Sequence, residues 1–176
     1  EVIRGPGGTL WGANAVNGVI NIITKKAKDT QGLLLSAGGG TEERGSLALR
    51  WGATQSDALH YRVYGKLFDQ DRGGRPANGD LPHDGWQGLV GGGRMDWDIS
   101  ADDKLTIQAD VQAIDKEENT TLAFLDSPFS RDTRMHSNAE NWNFNTTWSH
   151  TFSDDSQLEV DGYYTGYHRD DPILRR

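Results

Sequence analysis

The sequence has no cysteine among its 176 residues. This absence excludes a disulfide scaffold, thiol catalysis and cysteine-ligated zinc. The chain also lacks any apolar run of about 18 residues, the length that a transmembrane helix requires. Lysine and arginine number 18 against 26 aspartates and glutamates, and the net charge of −8 argues against nucleic acid as a partner, since such proteins carry a basic face.

Glycine and aromatic residues are what the chain has instead. It contains 22 glycines, six tryptophans, five tyrosines and five phenylalanines, while only 35% of its residues are hydrophobic. Such a chain must build structure without a large conventional core. It begins at Glu1, with neither a methionine nor a signal peptide, and we expect it to be a fragment of a longer protein.

From about residue 32 onward, apolar and polar residues alternate with period two, which indicates β-strands. The clearest case places Leu105, Ile107 and Val111 on one side, with Thr106 and Gln108 on the other. The pattern predicts an all-β fold with seven strands, at 31–39, 45–53, 58–69, 86–99, 104–116, 139–152 and 157–169.

The connections between these strands alternate in length. Three are short (54–57, 100–103 and 153–156), whereas 70–85 and 117–138 form two long predicted loops on the opposite side. Four aromatic residues fall close to the short turns, as an interfacial girdle would: Trp51, Trp97, Trp148 and Phe152. Short turns at one rim and long loops at the other are typical of a transmembrane antiparallel β-barrel built as an up-and-down meander.

A soluble β-sandwich that serves as a binding module would show the same alternation. Strands of about 12 residues, longer than the usual ~5–6, and loops sorted by length favour the barrel. Within the barrel class, a passive pore and a barrel enzyme are further alternatives. An enzyme would require a serine and histidine constellation facing the lumen, and the sequence shows none.

Residues 1–27 carry the most specific pattern. The stretches 1–6 (EVIRGP) and 11–24 (WGANAVNGVINIIT) resemble the end of the plug domain of TonB-dependent outer-membrane receptors. We expect 1–27 to be the C-terminal end of a plug and 28–176 the N-terminal, incomplete part of the barrel, with 19–24 as a plug strand. The signature positions, which we expect to be structural, are Arg4, Gly5, Pro6, Trp11, Gly12, Gly18, Val19, Ile20, Asn21 and Ile22.

The resemblance implies a plug inside a barrel of about 22 strands in the outer membrane of a Gram-negative bacterium. It implies energy-coupled uptake of a scarce nutrient such as a ferric siderophore or similar metal chelate, driven by the TonB–ExbB–ExbD complex, with outer-membrane lipid around the barrel. No covalent chemistry and no cofactor are expected. By the same resemblance, Arg4 pairs with carboxylates of the barrel wall. Cobalamin, haem, another metal chelate and oligosaccharide are further cargoes that the sequence leaves open.

Other candidate chemistry in the chain is weak. The pairs Asp102-Asp103, Asp154-Asp155 and Asp170-Asp171 fall at predicted turns or strand ends, where aspartate is favoured for local hydrogen bonding. The five histidines show no close metal-ligand spacing. Three consecutive glycines at 91–93 lie inside a predicted strand, where they allow close backbone approach or sheet curvature.

Ligand contacts are expected from the long loops and the upper lumen. Arginine combined with aromatic rings suits an anionic, partly aromatic ligand such as a ferric siderophore. The candidates are Arg72, Arg75, Trp86, Phe124, Arg131 and Arg134. On the inward faces, Arg62 and Lys66 are balanced by Asp110, Glu159 and Asp161, so charge alone does not identify a cargo.

Overall fold

The computed structural model describes residues 2–8, 15–70 and 85–170. Nearly all of this part of the chain is β-strand, with a single 3-10 turn, η1, at Ala27–Thr30. None of its helical segments is long and apolar enough to cross a membrane. The strands are β1 (Val2–Arg4), β2 (Gly18–Ile20), β3 (Gly32–Gly38), β4 (Glu43–Ser56), β5 (Leu59–Gln70), β6 (Trp86–Asp98), β7 (Asp103–Ala123), β8 (Ser130–Ser153) and β9 (Ser156–Asp170).

Strands β3 to β9 form one antiparallel sheet in sequence order, which is the predicted up-and-down meander of seven strands. The sheet is not closed, so β3 and β9 are its two edges in the described part of the chain. Strands β1 and β2 form a separate two-stranded sheet. No second sheet covers the meander among the described residues, which contradicts the β-sandwich alternative.

The predicted long loop at 117–138 is wrong. Strands β7 and β8 continue through it and pair residue by residue from Glu117 opposite His136 to Ala123 opposite Ser130. Only 124–129 form a turn, closed by a hydrogen bond of 2.8 Å from the Phe124 amide to the Phe129 carbonyl. These strand extensions are polar on both faces, so they lack the alternation from which a strand can be recognised.

The predicted plug strand at 19–24 is shorter than expected. Strand β2 contains only three residues because its partner β1 offers only three, and the register runs from Val2 opposite Ile20 to Arg4 opposite Gly18. Ile22 and Ile23 lie beyond this pairing and are each 80% exposed. The expectation that these two isoleucines are sheet residues is therefore wrong.

The alternation of side chains divides the large sheet into an apolar face and a polar face. On the apolar face, cross-strand neighbours are almost all hydrophobic, as in the row Leu59, Trp97, Leu105, Trp148 and Val160. The band extends from Leu59 to Leu67 on β5, nine residues, close to the ~9–11 that a tilted strand needs to cross a bilayer. Its large side chains are half-buried or exposed, and no protein layer covers them among the described residues.

The two ends of the sheet also differ. The end with the connections 57–58, 99–102 and 154–155 is called the turn end, and the opposite end, with the hairpin tip at 124–129, the loop end. Trp97, Trp148 and Phe152 lie on the apolar face at the turn end, as predicted for a girdle. Trp51 lies opposite Val63, two cross-strand rows farther from the turn end than Trp97. The centroids of the Trp51 and Tyr61 rings are 5.6 Å apart.

Candidate functional site

The polar face carries the most buried part of the molecule, where the junction segment (residues 24–31) lies against β4, β5 and β6 near the turn end. Ala27 is completely buried and Thr30 is 4% exposed. Two side chains stabilise the turn here: the Thr30 hydroxyl donates to the Ala27 carbonyl (3.1 Å), which also accepts from the side-chain Nε2 of Gln31 (2.7 Å). The chain between the two sheets is thus folded into a compact turn on the wall.

Two charged side chains of the wall hold the backbone of this turn. Arg62, only 9% exposed, donates from Nη1 to the Lys25 carbonyl (2.7 Å) and to the Thr30 hydroxyl (3.2 Å). Asp96 accepts from the Ala27 amide at Oδ2 (2.5 Å). Charge-assisted hydrogen bonds of this kind are roughly twice as strong as neutral ones, and the bond to Asp96 satisfies the backbone amide of a fully buried residue, Ala27.

A second layer of contacts orients Asp96. The guanidinium of Arg94 lies 2.8 Å from Asp96 Oδ1, with both side chains less than one-fifth exposed. The same guanidinium donates to the Thr24 hydroxyl (2.9 Å) and to Gln108 Oε1 (3.0 Å). Arg62, Arg94 and Asp96 together form the anchor cluster, which fixes the junction segment from two neighbouring strands, β5 and β6.

Small residues allow these close approaches. Gly52 lies beneath the junction segment, where a Cβ would meet the Thr30 carbonyl and come within 3.1 Å of Gln31 Cα. Gly92 lies beneath the hydrogen bond from the Tyr64 hydroxyl to Asp110, and a Cβ there would come within 2.6 Å of the Ala109 carbonyl. The predicted close backbone approach is therefore confirmed at Gly92, whereas the nearest contacts of Gly91 and Gly93 are 3.6 and 3.2 Å.

Further toward the loop end, the polar face contains an apolar hollow of about 700 Å³. One cross-strand row forms its floor, and four of its six members are small: Gly38, Ser46, Phe68, Gly88, Ile114 and Ala139. The Phe68 ring lies over Gly88 and meets the Trp86 ring edge-to-face at 5.2 Å between centroids. The Lys66 ammonium lies 5.6 Å from the centre of the Phe68 ring.

The hairpin tip forms a third feature, beyond the apolar band. Phe124, Leu125 and Phe129 are all exposed, Leu125 by 97%. The Arg131 guanidinium lies over the Phe124 ring at 5.4 Å. Phe129 has a positive φ of 66°, a conformation that L-residues rarely adopt, in keeping with the tightness of the turn.

The chain is similar in sequence to three known proteins. Over 129 residues the chain is 32% identical to an iron-regulated outer membrane virulence protein of Vibrio cholerae, which covers 68% of this chain and 19% of that protein. Over 42 residues it is 48% identical to the vitamin B12 transporter BtuB of Vibrio vulnificus (24% and 7% covered). Over 79 residues it is 40% identical to the ferric enterobactin receptor of Pseudomonas aeruginosa (40% and 10% covered).

The chain belongs to the TonB-dependent outer-membrane receptors. It spans less than a fifth of the length of each of these relatives. No family model matches it, and no solved structure does. The outward apolar band and the inner polar face of the sheet agree with this membership, because a receptor barrel faces lipid on one side and its lumen on the other.

The signature of TonB-dependent receptors is partly visible in the structure. Its two ends meet, since β1 pairs with β2, and the Gly5 amide donates to the Asn17 carbonyl at 3.1 Å. Gly5 has a φ of +95°, which favours glycine. Trp11 and Gly12 lie outside the described residues. Arg4 is exposed and forms no ion pair with any residue that the structure describes, so its pairing with the wall stays a prediction.

The predicted ligand contacts fall in different places. Arg72 and Arg75 lie outside the described residues, and Arg134 is in strand β8, with a side chain that is not described. Phe124 and Arg131 come together at the hairpin tip. Trp86 lies beside the hollow and away from the hairpin tip. Its cross-strand partner is Lys116, which precedes Phe124 by eight residues on β7.

One of the candidate acid pairs, Asp102-Asp103, serves local structure. At the turn end, Ser100 accepts from the amides of Asp102 and Asp103 and donates to the Asp103 carboxylate (2.8 Å), which also contacts His150 Nδ1 (2.8 Å). This is the turn chemistry that the sequence predicts. No group of three or more potential metal ligands comes together among the residues that the structure describes.

Sequence reasoning missed Phe68, Arg94 and Asp96. Phe68 follows Leu67 and reads as part of an apolar pair, although the period places it with Arg62 and Lys66 on the polar face. Arg94 and Asp96 share that parity, two residues apart after a glycine run. Strict application of the two-residue period could have placed all three on the polar face. It could not have found their partners, because Ala27 is 69 residues from Asp96 and Thr24 is 70 residues from Arg94.

Proposed function

We propose that this chain is part of a receptor that takes up a scarce nutrient across the outer membrane with external energy, and that its cargo is a ferric siderophore or similar metal chelate. The protein does no covalent chemistry. Its partners are the TonB–ExbB–ExbD complex, outer-membrane lipid and the small-molecule cargo. Residues 1–27 are the end of its plug and residues 28–176 the first part of its barrel.

The observation that carries this proposal is the contrast between the two faces of one sheet. The outer face is apolar over nine residues of each central strand, whereas the inner face is polar and binds the junction segment through the anchor cluster. A passive pore has no need of a wall that binds a preceding segment of the chain so closely. A receptor with a plug needs such a connection, because the plug must remain attached while a path opens.

The relatives support the cargo class. The names of two of the matching proteins refer to iron: one is an iron-regulated outer membrane virulence protein and the other a ferric enterobactin receptor. The vitamin B12 transporter makes cobalamin the second candidate cargo. Energy coupling follows physically from tight capture, since a ligand bound with high affinity dissociates slowly and must be released by external work.

The test is uptake in living cells. The gene that contains this chain is expressed at its full length in a Gram-negative host that lacks its own iron-chelate receptors, and accumulation of radiolabelled ferric chelates is followed with and without a protonophore. We expect uptake that saturates and that stops when the proton gradient or TonB is removed. Uptake that is linear in chelate concentration and indifferent to the protonophore would indicate a passive pore instead.

A further inference from the structure

The hollow differs from the rest of the polar face in composition. Toward the turn end, the same face carries the charged anchor cluster. At the hollow, the only large side chains of the row are Phe68 and Ile114, and the small members leave the space between them open. An apolar cavity of 300–1,000 Å³ with a few polar groups is the usual form of a small-molecule site.

Phe68 lines the hollow, and further aromatic surface and positive charge lie directly beside it, outside its lining. The Phe68 and Trp86 rings meet edge-to-face, and Trp86 is 41% exposed, so its ring can contact a ligand. Lys66 lies one row below, with its ammonium near the Phe68 ring, and Lys116 lies one row above, opposite Trp86. Asn141, in the row of Lys66, has a buried side-chain oxygen without a hydrogen-bond partner among the described residues.

The acidic residues around the hollow are directed elsewhere or already paired. The cavity lining includes three residues whose parity places their side chains on the apolar face: Asp69, Asp115 and Glu140. Asp69 pairs with Arg44 at 3.7 Å, and Asp115 lies 3.3 Å from His136. On the polar face itself, Glu43 lies opposite Gln70 at the loop end, three strands away from Lys116.

We infer that this hollow is a binding subsite for the aromatic part of an anionic ligand, with Phe68 and Trp86 contacting the ring and Lys66 the negative charge. The inference rests on the proposed function and narrows it, since it selects an anionic aromatic chelate over a neutral aliphatic one. The cation lies beside the ring surface, so a ligand must carry both properties on adjacent atoms to use both contacts.

Two synthetic probes separate these properties. One is the iron(III) complex of a hexadentate tris-catecholate, which is anionic and aromatic, and the other is the iron(III) complex of a hexadentate tris-hydroxamate, which is neutral and aliphatic. Binding of each to the purified full-length receptor in detergent is measured by calorimetry. The variants are Phe68→Leu, Lys66→Met and Lys66→Arg. The control is Lys104→Met, an exposed lysine on the same face at the turn end.

We expect the receptor to prefer the tris-catecholate, with about tenfold weaker binding in Phe68→Leu and in Lys66→Met. Lys66→Arg should restore most of the affinity because it restores the charge, and Lys104→Met should bind like the unmodified receptor. Lys66 is exposed, so its substitution tests the subsite even where loss of the Phe68 ring disturbs folding. A Ser46→Cys variant should react with a membrane-impermeant maleimide from outside, and bound tris-catecholate should protect it.

Three results would overturn the inference. If the tris-catecholate binds but neither Phe68→Leu nor Lys66→Met weakens it, the ligand lies elsewhere. If only the tris-hydroxamate binds, the assigned chemistry is wrong while the proposed receptor function stands. If Ser46→Cys cannot be labelled in the ligand-free receptor, a segment of the protein fills the hollow. A receptor that binds and transports neither chelate would overturn the proposed cargo class itself.

Discussion

Replacing Asp96 by alanine should release the junction segment from the wall. The carboxylate is the acceptor for the amide of Ala27, which has no solvent exposure, and it is also the partner of Arg94. An amide left buried without an acceptor costs about 1–3 kcal/mol, and loss of a hydrogen bond to a charged group costs about 1.5–3 kcal/mol. Since Arg94 keeps Gln108 as an acceptor, we expect roughly 2–4 kcal/mol of lost local stability.

Hydrogen exchange over residues 24–31 of the full-length receptor measures this loss directly. A change of about 2 kcal/mol in the free energy of local opening corresponds to roughly thirtyfold faster exchange, because every ~1.4 kcal/mol is a factor of ten. Asp96→Asn should show a smaller effect, since its amide oxygen can still accept from Ala27. Asp98→Ala is the matched control, an exposed aspartate on the same strand and face.

The reasoning is refuted if the peptide that covers 24–31 exchanges equally in Asp96→Ala and in the unmodified receptor. That result would mean that burial of Ala27, and not the carboxylate, holds the junction. Equal acceleration in Asp98→Ala would also refute it, since a general loosening of the strand end would then explain the change.

Three further predictions follow from the two faces of the sheet. Gly92→Ala should lower the melting temperature of the full-length receptor, because a Cβ would come within 2.6 Å of a neighbouring carbonyl, whereas Gly91→Ala, with its nearest contact at 3.6 Å, should be tolerated. Val63→Lys, in the middle of the apolar band, should cost about 2–4 kcal/mol and reduce the amount of heat-modifiable folded receptor in the outer membrane, while Gln87→Lys beyond the band should not. The 176-residue chain alone should aggregate in aqueous buffer, because its two sheet edges and its apolar face are uncovered; a discrete monomer that unfolds cooperatively in a sedimentation and melting experiment would contradict this.

The sheet could be predicted from the sequence because a membrane imposes a simple rule on it. Where one face meets lipid, every second residue is apolar, and strands such as Leu59–Gln70 were recognised with bounds accurate to about a residue. Beyond the band the rule lapses. The extensions of β7 and β8 have water or other polar groups on both sides, so Glu117 and His136 carry no periodic signal although they are paired.

The contacts of the junction could not be predicted in the same way. The two-residue period places Arg62 and Asp96 on the polar face, but nothing local in the sequence links them to Lys25 or Ala27. The hollow could not be predicted for a related reason. Phe68 is an apolar residue at a position where the alternation expects a polar one, and a single exception of this kind is not informative by itself. Its neighbours Gly88 and Ile114 become known only from the strand register.

The long hairpin of β7 and β8 has a consequence for what the receptor presents to its surroundings. From Asp115 to Ala123 the strands run eight residues past the apolar band, roughly 25 Å at ~3.3 Å per residue. Because each pair of residues is matched along this length, β7 and β8 continue to the tip as one paired ribbon. In the receptor that we propose, the exposed side chains of Leu125 and Phe129 therefore lie at the tip of this ribbon, beyond the part of the sheet that faces lipid.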